Sequence, residues 1–224
     1  MEKCFVFIDG GYIDALLKKW DNLPLDYIKF SKKMCNDLNL ESIRTYYYNC
    51  LPIIRRMYKF NCSDCGQEAD VPFKANNRKL FCDFCLEKKN MDKSKLKFSA
   101  EQTDFDQKLF DNKESFFNKL KLLQRFEVKY GQLQLIRGEF KQKGVDVLMS
   151  LDIVEKSITH QAPHIVIVAG DADFIPAIRS AKAAGAIVHL YCSRNGVNRE
   201  LLYEVDEVHN LSLTYLDNLR ISTQ

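Results

Sequence analysis

Carboxylate side chains follow two strand-like segments of the sequence, at the point where each segment ends. Asp9 follows the apolar run 4–8. Asp171 and Asp173 follow a second apolar run at 164–169. The carboxyl ends of parallel strands open on one edge of a sheet, so acids from distant parts of the chain meet there. Clustered carboxylates repel one another unless a hard cation such as Mg²⁺ or Mn²⁺ neutralises them, which predicts a divalent-cation site at this edge.

Each acid also has a simpler local role open to it. Asp is a preferred residue at the start of a helix, and Asp9, Asp146 and Asp173 each stand where a helical pattern begins. Helix capping accounts for one acid per helix. It does not account for Gly10 and Gly11, which clear space beside Asp9.

Four cysteines form two pairs, Cys62-x-x-Cys65 and Cys82-x-x-Cys85, with sixteen residues between the pairs. Each pair presents two thiolates to one ion, and two pairs complete a tetrahedral Zn²⁺ site. The spacing lies in the usual range for four-cysteine zinc sites. Since four thiolates leave no open coordination position, such a zinc ion is structural rather than catalytic. Reduced cysteines without a metal, or a redox pair, are the alternative.

The residues around these cysteines are basic and aromatic. Between positions 55 and 97 the chain has eleven Lys or Arg and six Asp or Glu, with five aromatic residues interleaved. Basic groups that track a backbone and aromatic rings that stack on bases are typical of nucleic-acid binding. A solvated basic surface over a small apolar core is the other interpretation.

The elements that must position the acids alternate between strand and helix patterns. Strand patterns lie at 4–8, 42–48, 132–137, 164–169, 186–192 and 207–211. Helical patterns lie at 12–20, 115–126, 145–159, 174–184 and 198–203. This alternation predicts an α/β fold with a mainly parallel sheet flanked by helices. The stretch 51–112 interrupts it, so we predict a discontinuous core, 1–50 and 113–224, and a small zinc-ribbon-like insertion at 51–112.

Composition and length exclude several classes of protein. The chain has 224 residues, 46% apolar and 28% charged, which is typical of globular proteins. Its net charge of +3 is too small to indicate a nucleic-acid partner by itself. No apolar stretch approaches the roughly 18–20 residues that span a bilayer, and no secretory signal is visible. We therefore expect a cytoplasmic protein without membrane association, whose cysteines are reduced or metal-bound.

The histidines do not point to nucleophilic catalysis. His164 and His189 flank strand patterns and are interpreted as packing residues, while His160 and His209 are interpreted as peripheral. A triad of the Ser-His-Asp type has no support in the sequence.

Three blocks of the sequence resemble the signature motifs of the NYN domain, a LabA-like family related to PIN-domain nucleases. The blocks are Phe7-Ile8-Asp9-Gly10, Lys143-Gly144-Val145-Asp146-Val147 and Ala169-Gly170-Asp171-Ala172-Asp173-Phe174-Ile175-Pro176. The tail from Gly185 to Asp206 is similar as well, and the resemblance covers about 1–50 and 113–215.

The resemblance implies a Rossmann-like, PIN-like fold and a metal-dependent ribonuclease activity, with RNA favoured over DNA as the substrate. It also implies that four acids hold Mg²⁺ or Mn²⁺, which would activate a water for attack on phosphorus. These acids are Asp9, Asp146, Asp171 and Asp173. Lys143, Arg55 and Arg56 are the basic residues expected to position the phosphate chain.

The sequence departs from the family pattern at two positions. The family usually has Asn where this chain has Tyr12, and often Ser or Thr where it has Ala169. The loss of the amide and the large insertion leave a second interpretation open, a catalytically idle adaptor that binds nucleic acid or protein. The insertion also leaves open a homodimer or a protein partner.

Overall fold

The computed structural model describes residues 1–52, 60–69, 73–74, 80–91, 100–136 and 139–221. The chain divides into two compact units. The core unit comprises Met1–Cys50, Asn118–Gln132 and Lys143–Gln224, and the insertion unit comprises Leu51–Phe117 and Leu133–Gln142. None of the helices in the described part of the chain combines the length and the hydropathy needed to cross a membrane.

The strands of the described residues are, in chain order, β1 (Glu2–Asp9), β2 (Leu40–Asn49), β3 (Phe60–Asn61), β4 (Glu68–Ala69), β5 (Phe73–Lys74), β6 (Leu80–Phe81), β7 (Phe126–Tyr130), β8 (Gln132–Ile136), β9 (Glu139–Lys143), β10 (His164–Val168), β11 (Ile187–Cys192) and β12 (Glu207–Asn210). The helices are α1 (Gly10–Lys18), α2 (Tyr27–Asp37), α3 (Asp83–Lys88), α4 (Ala100–Lys121), α5 (Val145–Ile158), α6 (Ile175–Ala183), α7 (Arg199–Glu204) and α8 (Leu213–Asp217). A single 3₁₀ turn, Ala172–Phe174, precedes α6.

The main sheet of the core unit has six strands in the order β12-β11-β10-β1-β2-β7. Every neighbouring pair in it is parallel. The predicted α/β fold with a mainly parallel sheet is therefore confirmed. Because all the strands point the same way, their carboxyl ends share one edge of the sheet.

The two central strands are apolar along almost their whole length. All five residues of β10 are buried, as are Cys4 to Ile8 of β1. Strands that are covered by helices on both faces require such continuous apolar runs rather than alternation. The neighbouring strand β2 contributes Tyr46, Tyr47 and Tyr48, whose rings are also buried.

Two helices of the core unit, α2 and the short α8, lie where the sequence pattern predicts no element. The side chain of Asp26 caps α2 by accepting hydrogen bonds from the N–H groups of Ile28 and Lys29. The helix buries Phe30 and Met34. Its buried residues recur at helical spacing, at positions 27, 30, 31, 34 and 35, so the amphipathic pattern is present in the sequence and was overlooked.

Two predicted elements end or pair differently in the structure. The helix predicted at 115–126 begins earlier, as α4, and ends at Lys121. The edge strand β7 follows from Phe126 and has no counterpart in the predicted pattern. The strand predicted at 132–137 exists as β8, but it pairs with β9 in a separate two-stranded sheet.

The described part of the insertion unit contains very little apolar core. Its hairpins β3–β4 and β5–β6 are antiparallel and have two residues in each strand. A cluster of buried residues consists of Cys62, Phe81, Cys85 and Leu86, with Cys82 and Met91 packed against it. Three of these six side chains are cysteines from the two predicted zinc-binding pairs.

Candidate active site

Asp9 is the last residue of β1 and also the N-cap of α1. Its Oδ1 accepts hydrogen bonds from the N–H groups of Gly11, at 2.9 Å, and Tyr12, at 3.1 Å. Within the described residues, Oδ2 of Asp9 has no hydrogen-bond partner. One carboxylate oxygen is thus fixed by the backbone, while the other remains available to a ligand.

Gly10 allows α1 to begin against the sheet. A Cβ atom at this position would lie 2.5 Å from Cζ of Tyr47 and 2.6 Å from the carbonyl oxygen of Tyr48. The glycine is therefore required by close packing of α1 on β2. Gly10 thus lets the start of α1, next to Asp9, lie directly against the sheet.

We expect Gly10→Ala to destabilise the protein by about 1–3 kcal/mol, because the added methyl group overpacks a site closed by backbone. Gly196→Ala is the matched control, since its Cβ would meet no atom closer than 3.9 Å. Urea unfolding followed by circular dichroism measures both. Equal stability of the two variants would contradict the packing role of Gly10.

Asp171 and Asp173 lie just beyond the carboxyl end of β10. Oδ1 of Asp171 caps the 3₁₀ turn by accepting the N–H of Asp173 at 3.1 Å. Both residues are exposed. The 3₁₀ turn leads directly into α6, which has a proline in its first turn.

Asp146 lies in the first turn of α5. Gly144 precedes this helix with a left-handed backbone, φ 87°, which glycine adopts without strain. Asp146 is exposed, and an acid in the first turn complements the positive end of the helix dipole.

The four predicted acids are close enough for their charges to change one another's pKa values. Burial raises the pKa of Asp9 to about 6, against hydrogen bonds from Tyr12 and Gly11 that lower it, and the charges of Asp146 and Asp171 raise it further. Burial also raises the pKa of Asp146, and the charges of Asp171 and Asp173 add to that effect. The structure therefore brings together acids that are up to 164 positions apart in the sequence.

The carboxylates are close enough to repel one another. Among the described residues, no three of them bring one oxygen each within 4.8 Å of the others. The donor set is entirely carboxylate oxygen, which suits a hard cation such as Mg²⁺ or Mn²⁺. A divalent ion would also relieve the repulsion that raises the pKa of Asp9, so these residues fit such an ion.

The desolvated carboxylate of Asp9 makes a pH-dependent prediction. Its pKa is about 6 in the folded protein and ordinarily 3.8. The folded state holds this proton more tightly, so the charged form of Asp9 destabilises the metal-free protein above pH 6. This cost disappears as the pH falls toward 4.

We expect Asp9→Asn to stabilise the metal-free protein by about 1–3 kcal/mol at pH 7.5 and by much less at pH 4.5. Asn is as good an N-cap as Asp, so the cap is kept. Urea unfolding at both pH values in Mg²⁺-free buffer measures the difference. A variant equally or less stable than the wild type at pH 7.5 would contradict the assignment.

An open groove extends from the acids between α5 and α6. Its volume is about 620 Å³, and Asp146 and Asp173 both line it. Val147 and Leu151 of α5 also line the groove and are exposed by 61% and 62%. The groove thus has two carboxylates at one end and exposed apolar side chains along its wall.

Tyr12 connects the loops that follow two strands. Its hydroxyl accepts the N–H of Ser193, just after β11, at 2.7 Å. A Cβ atom on Gly170, beyond β10, would lie 2.4 Å from Cε2 of the Tyr12 ring. Burial raises the pKa of Tyr12 to about 12. The phenol is therefore neutral and holds these loops in place, rather than acting as a base.

Two polar residues beside the site, Asn49 and its partner Asp14, were not predicted from the sequence. Asn49, the last residue of β2, donates from Nδ2 to Oδ2 of Asp14 at 2.9 Å and to the hydroxyl of Tyr47 at 3.1 Å. Asn49 is buried, with 3% exposed. The signal was present, because Asn49 ends an aromatic strand pattern at the same edge of the sheet as Asp9.

The basic residues predicted to position the phosphate are not located by the structure. Arg55 and Arg56 lie outside the described residues. Lys143 is the last residue of β9, and only its backbone is described. Their contribution stays a prediction.

The four cysteines of the insertion unit lie together. One sulfur from each of Cys62, Cys65, Cys82 and Cys85 falls within 4.8 Å of the others. Burial acts to raise the pKa of Cys62, but N–H groups of Cys65, Cys82 and Asp64 outweigh it and lower that pKa to about 6. A thiolate that is already stabilised and three neighbouring sulfurs fit a tetrahedral Zn²⁺ ion.

Comparisons with known proteins agree with this architecture. The family model of the NYN domain matches residues 3–212. The structure is similar to the crystal structure of a protein of unknown function from Vibrio parahaemolyticus, with a TM-score of 0.57, 15% sequence identity and 96% of each chain covered. At this identity the similarity concerns the fold alone. A search of the curated proteins finds no match.

Proposed function

Since the chain belongs to the NYN domain family, a group of PIN-like nucleases, we propose that it is a metal-dependent endoribonuclease. The observation that supports this best is the electrostatic repulsion among four carboxylates at the carboxyl edge of the sheet, those of Asp9, Asp146, Asp171 and Asp173. Carboxylates that repel one another at one site destabilise the folded protein unless they bind a cation.

Asp9, Asp146 and Asp171 would hold Mg²⁺ or Mn²⁺, with Asp173 as a further ligand or a hydrogen-bond acceptor for bound water. When bound, such an ion supplies a water of lowered pKa and positive charge beside the scissile phosphate. Asp9 is the fixed point of the set, because two backbone N–H groups hold its Oδ1. Lys143, Arg55 and Arg56 would bind the phosphates that flank the site.

The open groove between α5 and α6 supports internal cleavage of a nucleic-acid strand. It is open to solvent, and the exposed side chains of Val147 and Leu151 offer apolar surface to the bases. RNA is the favoured substrate by family membership. The four reduced cysteines, with structural Zn²⁺, fit a reducing compartment, and we place the protein in the cytoplasm.

The idle adaptor is the second candidate, and the side chain of Tyr12 favours it. Its hydroxyl oxygen accepts the N–H of Ser193, so the phenol has only its O–H proton to offer a substrate, where an amide could offer both an oxygen and N–H groups. An adaptor would bind nucleic acid with a strong dependence on salt and would cut nothing.

A cleavage assay separates the two functions. Single-stranded RNA, hairpin RNA and matched DNA are incubated with the protein in Mg²⁺ or Mn²⁺. Because a chelator would also remove zinc, the comparison uses buffer freed of divalent ions and resupplied with Zn²⁺ alone. The proposal requires internal RNA fragments that depend on the added ion. Binding without fragments, from protein verified as folded, would favour the adaptor.

A further inference from the structure

A row of ionisable side chains crosses one face of the core sheet, from the amino ends of β1 and β10 to the edge strand β12. Paired residues of neighbouring strands point to the same face, as do residues two apart on one strand. The registers of β1, β10, β11 and β12 therefore place five such residues on one face. They are Glu2, His164, His189, Glu207 and His209.

Hydrogen bonds within the row fix the tautomers of its histidines. Nε2 of His164 lies 2.9 Å from Oε2 of Glu2, and Nδ1 of His164 lies 2.9 Å from Nε2 of His189. A carboxylate only accepts hydrogen bonds, so a neutral His164 donates from Nε2 and accepts at Nδ1. His189 must then carry its proton on Nε2.

This arrangement leaves two acceptors facing each other. Nδ1 of His189, which carries no proton in the neutral ring, lies 3.1 Å from Oε2 of Glu207. Two lone pairs at this distance repel, and either an additional proton on the two histidines or a metal ion between the two atoms removes the repulsion. The side chain of His189 is only 4% exposed, so water does not separate the pair from outside.

A ring nitrogen of His209 is a third atom with a lone pair that faces Oε2 of Glu207. This atom, Nε2, lies 3.3 Å from Oε2 of Glu207, in a geometry that makes no hydrogen bond. This nitrogen is buried and unsatisfied within the described residues. The ring of Tyr191 stacks on His209 with a centroid distance of 4.6 Å and fixes its orientation.

We propose that His189, Glu207 and His209 form a binding site for a divalent transition-metal ion, with Zn²⁺ as the first candidate. One donor atom from each residue lies within 4.8 Å of the others. Ligands bonded at 2.0–2.1 Å around a tetrahedral ion lie about 3.3 Å apart, which agrees with the 3.1 and 3.3 Å distances to Oε2 of Glu207.

The donor types and their surroundings support the same class of ion. Two imidazoles and one carboxylate suit Zn²⁺ better than Mg²⁺, which prefers oxygen ligands alone. His164 and Glu2 form the outer pair that orients a ligating histidine through its second nitrogen. Three protein ligands leave a fourth position for water or another ligand, and Glu207 is 53% exposed on the open side.

This site is separate from the acidic cluster. Its three residues lie on β11 and β12, whereas Asp9 ends β1 and Asp171 follows β10, so the two sites share no residue. The site also shares no residue with the four-cysteine cluster. It therefore stands whether or not the chain is a ribonuclease.

The test is the number of zinc ions per chain. The full chain without a histidine tag is equilibrated with Zn²⁺ and desalted, and bound zinc is measured by atomic spectroscopy. We expect His209→Gln and Glu207→Gln each to hold one zinc fewer than the wild type. His160→Gln, which replaces an exposed histidine outside the row, should hold as many as the wild type.

The result is the difference of one zinc ion between the wild type and each variant, and it does not depend on how many ions the cysteines bind. Glu207→Gln guards against misfolding, because this half-exposed side chain can be exchanged for its amide without a change of shape. Nitrogen NMR of the imidazoles gives a second readout, in which added Zn²⁺ shifts Nδ1 of His189. Equal zinc content in all variants, with His189 doubly protonated and unaffected by Zn²⁺, would overturn the proposal.

Discussion

Replacing Asp171 with Asn is expected to reduce RNA cleavage by at least about a hundredfold while the fold stays intact. The amide oxygen can still accept the N–H of Asp173, so the cap on the 3₁₀ turn is kept. The negative charge is lost, and a catalytic cation contributes several kcal/mol through such ligands, of which about 3 kcal/mol is a hundredfold in rate. Single-turnover cleavage of labelled RNA in Mn²⁺ measures the loss.

Asp217→Asn is the matched control for this variant. Asp217 is an exposed acid of α8 whose side chain contacts Arg220, and it lies in the same core unit. It should cut at the wild-type rate. Full activity of Asp171→Asn would remove this residue from the site, and isothermal titration with Mn²⁺ would then identify which acids hold the ion.

Removal of one zinc ligand is expected to open the insertion unit without unfolding the core unit. Cys65 is the best position, because it is exposed and its loss leaves no cavity. A structural zinc site contributes about 10–16 kcal/mol, so an equal share of four ligands is about 3 kcal/mol, or about a hundredfold in zinc affinity. The small apolar cluster around Leu86 offers little to replace it.

Limited proteolysis of Cys65→Ala is the measurement. Early cuts should fall within Leu51–Phe117, while fragments of the core unit persist. Asn61→Ala changes an exposed neighbour in the same hairpin and should resist the protease like the wild type. Unchanged resistance and zinc affinity in Cys65→Ala would show that the thiols serve another purpose.

The sequence predicts the acidic site better than it predicts the elements around it. Asp9 and Asp171 are found because strand ends meet at one edge, a rule that needs only the approximate location of the strands. Asn49 obeys the same rule and was overlooked because it is not an acid. The amphipathic pattern of α2 is present in the sequence but was overlooked, and the predicted helix before β7 was extended to Phe126, the first residue of that strand.

The row of histidines shows what a single sequence withholds. His164, His189 and His209 lie on three strands, and no local spacing connects them. Read one at a time, they are packing or peripheral residues. Only the register of β10, β11 and β12 places them on one face, and register depends on the complete set of strand pairings.

The central position of β1 in the sheet makes assembly of the acidic cluster depend on synthesis of the later strands. Cys4 of β1 pairs with His164 of β10, so the first strand of the chain lacks one neighbour until most of the chain has been synthesised. Until then its apolar edge is open to other chains, a hazard for partly made or truncated molecules. Asp171 follows the strand that closes this gap, so the acids assemble only when the sheet does. A fragment that ends before β10 would therefore have neither a closed core nor a complete acidic cluster.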